Sequence, residues 1–232
     1  VKSASSPLPP LIEGASILII LLGPPGSGKG THAPALSAEL QIPHISTGDL
    51  FRDQIRNKTK VGLLAQSYID QGQLVPDSVV IEMLFSRLES ADCQKGAVLD
   101  GFPRTISQAE MLEKKFGLSH HWTVLLLKVN EDLLLNRICG RLICQCCSRV
   151  FHKIYGPPME AFVCDGCGGK LYQRSDDQEH LVRERLLAYH KQTAPLIEHY
   201  QEIPNVLRVI DASQSKELVM KDILQEFALE RV

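Results

Sequence analysis

The sequence predicts an α/β protein built on a doubly wound parallel sheet, and three observations carry that prediction. An apolar, β-branched run leads directly into a glycine-rich loop, GPPGSGKGT from Gly23 to Thr31. Short apolar runs of strand length then alternate with longer stretches of helical periodicity, the pattern of helices crossing over a parallel sheet. One segment rich in Cys, Gly and Pro, Arg141 to Asp177, breaks that rhythm and reads as a small inserted module.

Ser16 to Leu22 shows no polar alternation, as in a strand buried on both faces. The spacing predicts a helix from Lys29 to Leu40, in which Pro34 removes a hydrogen bond and is expected to kink the helix or tighten its first turns. Helices follow over Gly48 to Asn57 and Gly62 to Gln71. Ser78 to Leu88 sets Val79, Val80, Met83, Leu84 and Leu88 at helical spacing. Gly96 to Asp100 is a second strand, ending in a carboxylate, and Thr123 to Val129 a third, with Trp122 packing at its entrance. Asn130 to Cys139 is a helix with Asn130 as its cap, Val206 to Ile210 a fourth strand, and Lys216 to Leu229 a closing helix. Residues 1–15 are rich in Ser and Pro and lack a basic start and an apolar secretory core. They read as a disordered tail, with an organellar targeting remnant as the alternative.

The composition narrows the class. Of 232 residues, 44 % are apolar and 22 % charged, as in ordinary globular proteins. A net charge of −2 argues against a dedicated nucleic-acid surface. No apolar run approaches the ~20 residues that span a bilayer. The seven cysteines are odd in number, and five of them cluster between Cys144 and Cys167, which favours metal binding in a reducing compartment over a disulfide framework. Cys93 and Cys139 lack spaced partners and read as buried structural thiols. The adjacent His120 and His121 read as loop surface.

The glycine-rich loop has the chemistry of a phosphate cradle. Gly26, Gly28 and Gly30 let the backbone of Gly26, Ser27, Gly28, Lys29, Gly30 and Thr31 curl with its N–H groups inward. Lys29 supplies a point charge, and the following helix adds its positive end. The usual Ser or Thr after the lysine is Gly30, with Thr31 one place later, an ending that looks like the nucleoside monophosphate kinases. Asn57-Lys58-Thr59-Lys60 carries Lys where a guanine-binding motif needs Asp, and reads as an exposed turn.

Cys144-x2-Cys147 and Cys164-x2-Cys167, sixteen residues apart, can offer four thiolates in a tetrahedron, the arrangement of a structural Zn²⁺ site. Four protein ligands leave no open position for catalysis. Cys146 is an alternative ligand to Cys144, whose regular CxxC turn is preferred. A redox pair, unliganded thiols and a zinc-ribbon nucleic-acid binder are the rival readings.

Three further blocks, HISTGDLFR (His44 to Arg52), GQLVPD (Gly72 to Asp77) and DGFPRTISQ (Asp100 to Gln108), are followed by RSDDQ (Arg174 to Gln178). Asp100 ends a strand, at the edge where open α/β sheets bind ligands. Any one of these arginines alone would be an ordinary solvated charge. Together with the loop, and in this order, the blocks resemble adenylate kinase from about Ile17 onward. The resemblance implies a P-loop NTPase-type core over 16–45, 76–139 and 178–232, an AMP-binding helical insert over 46–75 and a zinc-binding lid over 140–177, like that of bacterial-type long forms. It implies that Thr47, Arg52, Gln73, Leu74, Val75, Gly101, Arg104, Gln108, Arg174 and Arg185 bind AMP. ATP would lie on residues 26–31, Arg137, Arg141, Val150, Phe151 and Gln214. Lys29, Arg104, Arg137, Arg141, Arg174 and Arg185 would serve the transferring phosphoryl, and Asp100 would orient waters around Mg²⁺. The sequence departs from the family at His32, Pro34 and Ala212, where Gln, a long polar residue and Gly are usual. The expected reaction is ATP + AMP ⇌ 2 ADP, by a cytoplasmic monomer with no nucleic-acid or membrane partner. A UMP/CMP kinase is the nearest alternative, and a P-loop regulatory protein without phosphotransfer the alternative from another class.

Overall fold

The computed structural model describes residues 17–117 and 121–228. The expected tail, Ser16, His120 and Leu229 lie outside the described residues, and of His121 only the backbone is described. The central sheet has five parallel strands in the order β2-β3-β1-β4-β8. These are β1 (Ile17–Leu22), β2 (His44–Ser46), β3 (Gly96–Asp100), β4 (His121–Lys128) and β8 (Leu207–Asp211). Leu21 is in register with Asp100 of β3 and Leu125 of β4, so β1 and β3 end within one residue of each other, while β4 runs on to Lys128 beside Asp211 of β8.

Successive residues of β1 alternate between faces, and each face is buried. Leu18, Ile20 and Leu22 join a core with Leu84, Leu99, Leu112 and Tyr200. Ile19 and Leu21 join Leu36, Val98, Leu125, Leu127 and Ile223 on the other side. Each such side chain stabilises the fold by about 1.5–3 kcal/mol, which is why these strands read as unbroken apolar runs. Helices α1 (Lys29–Leu40) and α9 (Lys216–Ala228) cover the second face; α4 (Asp77–Leu88), α5 (Ile106–Phe116) and α8 (Pro195–Gln201) cover the first. Helix α1 runs through Pro34, whose ring is exposed. The proline denies an N–H only to the Gly30 carbonyl, in the first turn.

The expected helices at 48–57 and 62–71 appear as α2 (Thr47–Arg56) and α3 (Lys60–Ile69), packed against each other. Gly62 is their contact point: a Cβ there would stand 2.2 Å from the Gln54 carbonyl oxygen. The 57–60 turn contributes Thr59, which caps α3 by accepting from the Gly62 N–H at 2.9 Å. Asn130 caps α6 (Glu131–Cys139) by accepting from the Asp132 N–H.

The cysteine-rich module is a three-stranded antiparallel sheet in the order β6-β5-β7, from β5 (Arg141–Cys144), β6 (Val150–His152) and β7 (Leu171–Tyr172). Its apolar cluster is small, Leu142, Cys144, Cys164 and Leu171 with Phe151 against them, and Ile143 of β5 is buried beside it in the chain. Helix α7 (Glu179–Ala188) then leads through a π-helical turn, Tyr189–Thr193, into α8. Cys93 is buried as expected, whereas Cys139 is only half-buried, because it ends α6 at the edge of the module. Trp122 packs against the core at the start of β4.

Candidate active site

The loop after β1 is held in a shape that glycine permits. Gly26 and Gly28 have φ of 82° and 99°, in the left-handed region. A Cβ on Gly26 would stand 2.8 Å from Ile138 of α6. Lys29 folds back across the loop, its Nζ donating to the carbonyls of Gly23 (2.7 Å) and Pro24 (2.9 Å). Burial lowers its pKa to about 8; Arg104, Arg185 and Arg141 push the same way, while Asp100 opposes them. Gly30 keeps the space before Asp100 open, since a Cβ there would stand 3.5 Å from Oδ2.

Asp100 ends β3 beside this loop. Burial pushes its pKa up, but the His44 imidazole, 3.8 Å away, and the Lys29 charge outweigh it and hold the carboxyl below its usual range. The chain then turns sharply through Gly101, at φ 81°, and a cis Phe102–Pro103 bond. Thr47 Oγ1 and Arg104 Nε both donate to the Gly101 carbonyl, at 3.0 and 2.8 Å. The Arg104 N–H donates to Gln108 Oε1 (2.8 Å), and Gln108 Nε2 to Asp77 Oδ1 (2.7 Å). Thr193, on the π-helical turn, donates to the Arg104 carbonyl at 2.9 Å. The backbone of Arg104 is thereby fixed from both sides while its guanidinium stays exposed to the cleft. Of the GQLVPD block, Gln73 is exposed, Leu74 half-buried and Val75 buried in the core.

The remaining arginines meet carboxylates that sequence reasoning did not single out. Arg141 forms a two-pronged pair with the fully buried Asp177, Nε to Oδ2 at 2.9 Å and Nη2 to Oδ1. Arg185 Nη1 reaches Asp176 Oδ2 at 2.9 Å and Asp177 Oδ1 at 3.3 Å. Arg52 pairs with Asp49, and Arg174 Nη2 lies 3.7 Å from the same carboxylate. Burial lowers the Arg174 pKa to about 10, helped by the charges of Arg52 and Arg141. The structure therefore gathers Lys29, Arg52, Arg104, Arg141, Arg174 and Arg185 into one mutually interacting set, with Asp49, Asp100, Asp176 and Asp177 among them. The doublet Asp176-Asp177, beside Arg174 in RSDDQ, was the signal that could have disclosed these partners.

Arg137 stands apart. Its Nη1 donates to the Ala212 carbonyl at 2.8 Å, fastening α6 to the loop after β8. Gln214 lies in that loop, its amide spent on the Asp211 carbonyl and Asp222. Val150 and Phe151 lie on β6, with Phe151 turned onto the module's own core.

The sulfurs of Cys144, Cys147, Cys164 and Cys167 all lie within 4.8 Å of one another, and Cys146 is outside the group. Sγ separations are 3.4 Å for Cys144–Cys167 and 3.6 Å for Cys147–Cys164. Sulfurs held ~2.3 Å from one zinc ion sit at tetrahedral edges of about 3.8 Å, so the donor set fits that ion. Among the described residues, no helix is long and apolar enough to cross a membrane.

Comparison with known proteins agrees with this geometry. The family model described as "Adenylate kinase" matches residues 21–204. The chain is 51 % identical over 186 residues to an adenylate kinase of Caldicellulosiruptor bescii, covering 79 % of this chain and 86 % of that protein. It is 49 % identical over 207 residues to that of Clostridium tetani (88 % and 95 %). It is 45 % identical over 212 residues to that of Geobacter sulfurreducens (89 % and 96 %). A phosphate loop facing a second cationic site across one sheet edge, and matches over most of both chains, place this chain in the adenylate kinase family, among the nucleoside monophosphate kinases.

Proposed function

We propose that the chain transfers the γ-phosphoryl of ATP to AMP, reversibly, giving two ADP. The observation that carries the reading is the set of five arginines and Lys29 gathered between the phosphate loop and the Thr47–Gly101–Arg104 corner. Phosphoryl transfer spreads charge over three oxygens, and its catalysis is positioning and electrostatic stabilisation. Guanidinium groups remain ionised and bind oxygens in pairs, so they suit both tasks.

On this reading residues 26–31 hold the β- and γ-phosphates, and Lys29 leaves the Gly23 and Pro24 carbonyls for them. Thr47, Arg52, Gln73, Leu74, Val75, Gly101, Arg104 and Gln108 hold the monophosphate, joined by Arg174 and Arg185. Arg137, Arg141, Arg174 and Arg185 reach the transferring group, while Val150, Phe151 and Gln214 border the ATP base. Mg²⁺ bound with the triphosphate neutralises developing charge, and Asp100 offers the hard, ionised oxygen that suits its water shell. The four-thiolate set holds Zn²⁺ as a structural staple of the lid. The insert spans 46–75 and the lid 140–177. The free thiols suit a reducing, cytoplasmic setting, and the enzyme is read as a monomer.

The acceptor phosphate is already ionised, so no general base is needed. Water must be kept from the γ-phosphoryl, and closure of the lid and insert serves that end. A coupled assay of ADP formation from ATP with AMP, UMP, CMP or GMP tests the reading. AMP is expected to be the preferred acceptor; preference for UMP or CMP would reassign the substrate, and no turnover with any acceptor would refute phosphotransfer.

A further inference from the structure

At the junction between α6 and the cysteine module, one side chain joins both parts through each of its nitrogens. His152 lies on β6, in register with Arg141 of β5. Its Nδ1 faces two backbone N–H groups, those of Ile154 and Tyr155, each at 3.0 Å. A nitrogen that meets two donors must accept, so the ring proton sits on Nε2. Nε2 lies 3.0 Å from the Asn136 carbonyl in the last turn of α6 and donates to it. The Tyr155 ring stacks on the imidazole at 4.6 Å between centroids.

The neighbouring bonds run the same way. The Lys153 N–H donates to the Gly140 carbonyl at 2.8 Å, and Gln173 Nε2 to the Cys139 carbonyl at 2.7 Å. The Cys139 and Gly140 carbonyls, which an isolated helix leaves without donors, are thus supplied by the module, while the Asn136 carbonyl takes His152 beside the Gly140 N–H. Gly140 is shaped for the imidazole: a Cβ there would stand 2.2 Å from His152 Nε2. Its φ of −92° suits any residue, so space alone excludes a side chain.

Both ends of this tie carry arginines. Arg137 adjoins Asn136 and grips the Ala212 carbonyl; Arg141 pairs with His152 across the lid sheet and with Asp177. We infer that His152 is a positioning residue for the donor nucleotide, locking the lid to the last turn of α6 so that Arg137 and Arg141 face ATP in one fixed relation. This rests on the proposed reaction for its kinetic arm only.

The experiment compares His152→Phe, which keeps a ring but loses all three hydrogen bonds, with His152→Gln, whose amide can still donate to the Asn136 carbonyl. His152→Phe is expected to raise KM for ATP about fivefold, the factor one lost hydrogen bond represents. KM for AMP should stay within about twofold. His152→Gln should recover most of the loss, and Gly140→Ala should reproduce the Phe phenotype by displacing the ring. Independently of activity, hydrogen exchange at the Ile154 and Tyr155 amides should quicken in His152→Phe while elemental analysis shows zinc retained. Equal effects on ATP and AMP, or unchanged exchange and unchanged KM in folded His152→Phe, would overturn the tie. Unchanged parameters in Gly140→Ala would do the same. A wild-type chain without turnover would refute the reaction, leaving the exchange arm to judge the tie.

Discussion

Lys29 stands with its ammonium on the loop's own carbonyls and a pKa near 8, because burial and three arginines work against its charge while Asp100 supports it. This group therefore begins to lose its proton at mildly alkaline pH, and on the proposed reading a bound triphosphate restores it. ATP affinity is expected to fall as pH rises through about 8, and calorimetry near that pH should show proton uptake on binding; a flat profile would contradict it. The linkage to folding has the opposite sign. Between about 8 and the ordinary lysine value of 10.5 the unfolded chain binds more protons at this lysine, so its contribution to stability rises with pH. Arg104 is fixed at its backbone by Gln108 and Thr193 while its head stays in the cleft. Arg104→Ala should cut kcat by about 10²–10³-fold with little loss of stability, as for other lost transition-state donors. A near-normal turnover would remove it from the proposed machinery. The sequence disclosed these residues because their chemistry requires particular types at short spacing. It hid Thr193, whose hydroxyl reaches Arg104 across 89 positions through a π-helical turn that no local pattern marks.

At the scale of elements, the apolar strands β1, β3, β4 and β8 and the helices α1–α4, α6 and α9 were legible, whereas α5, α7, α8 and β2 were not read from the sequence. β1 and β3 are apolar because both faces are covered, and that leaves an unbroken run to read. β2 is only three residues, too short for any period, and owes its strand geometry to pairing with β3. The lid was legible through its cysteines and illegible through its apolar cluster, which holds four buried residues. So small a core stabilises little by itself. Metal removal, or Cys164→Ser, is accordingly expected to lower the thermal midpoint and loosen residues 141–172 before the central sheet, as read by hydrogen exchange. Undiminished stability in protein shown to be metal-free would contradict the staple. The turn joining the lid to α7 depends on Asp177, fully buried between Arg141 and Arg185. Asp177→Ala should cost about 3 kcal/mol in denaturant unfolding, since it strands charges that the pair had satisfied. A change under about 1 kcal/mol would show that water reaches those arginines freely.

Across the whole molecule, the neighbouring ends of β1 and β3 set the phosphate loop, Asp100 and the Arg104 corner on one edge, where on the proposed reading two nucleotides meet. A ligand that binds only the folded state stabilises it by mass action, about 2.7 kcal/mol at a hundredfold excess over its Kd. A non-transferable ATP analogue with AMP should therefore raise the thermal midpoint more than either alone, whereas identical shifts would mean a single shared site. The order of the motifs made this edge readable, because each block ends a strand or opens a helix there. What the chain could not disclose is which carboxylates its arginines pair with. Arg52, Arg141 and Arg185 already hold internal carboxylates, which occupy them as stand-in anions. A small ion such as inorganic phosphate, meeting one arginine, must break a pair worth about as much as the contact it makes. A polyphosphate spanning several arginines breaks the same pairs and gains many contacts at once. On the proposed reading the site favours polyphosphates over simple anions, so inorganic phosphate is expected to inhibit turnover weakly; inhibition as strong as that by a non-transferable ATP analogue would contradict it.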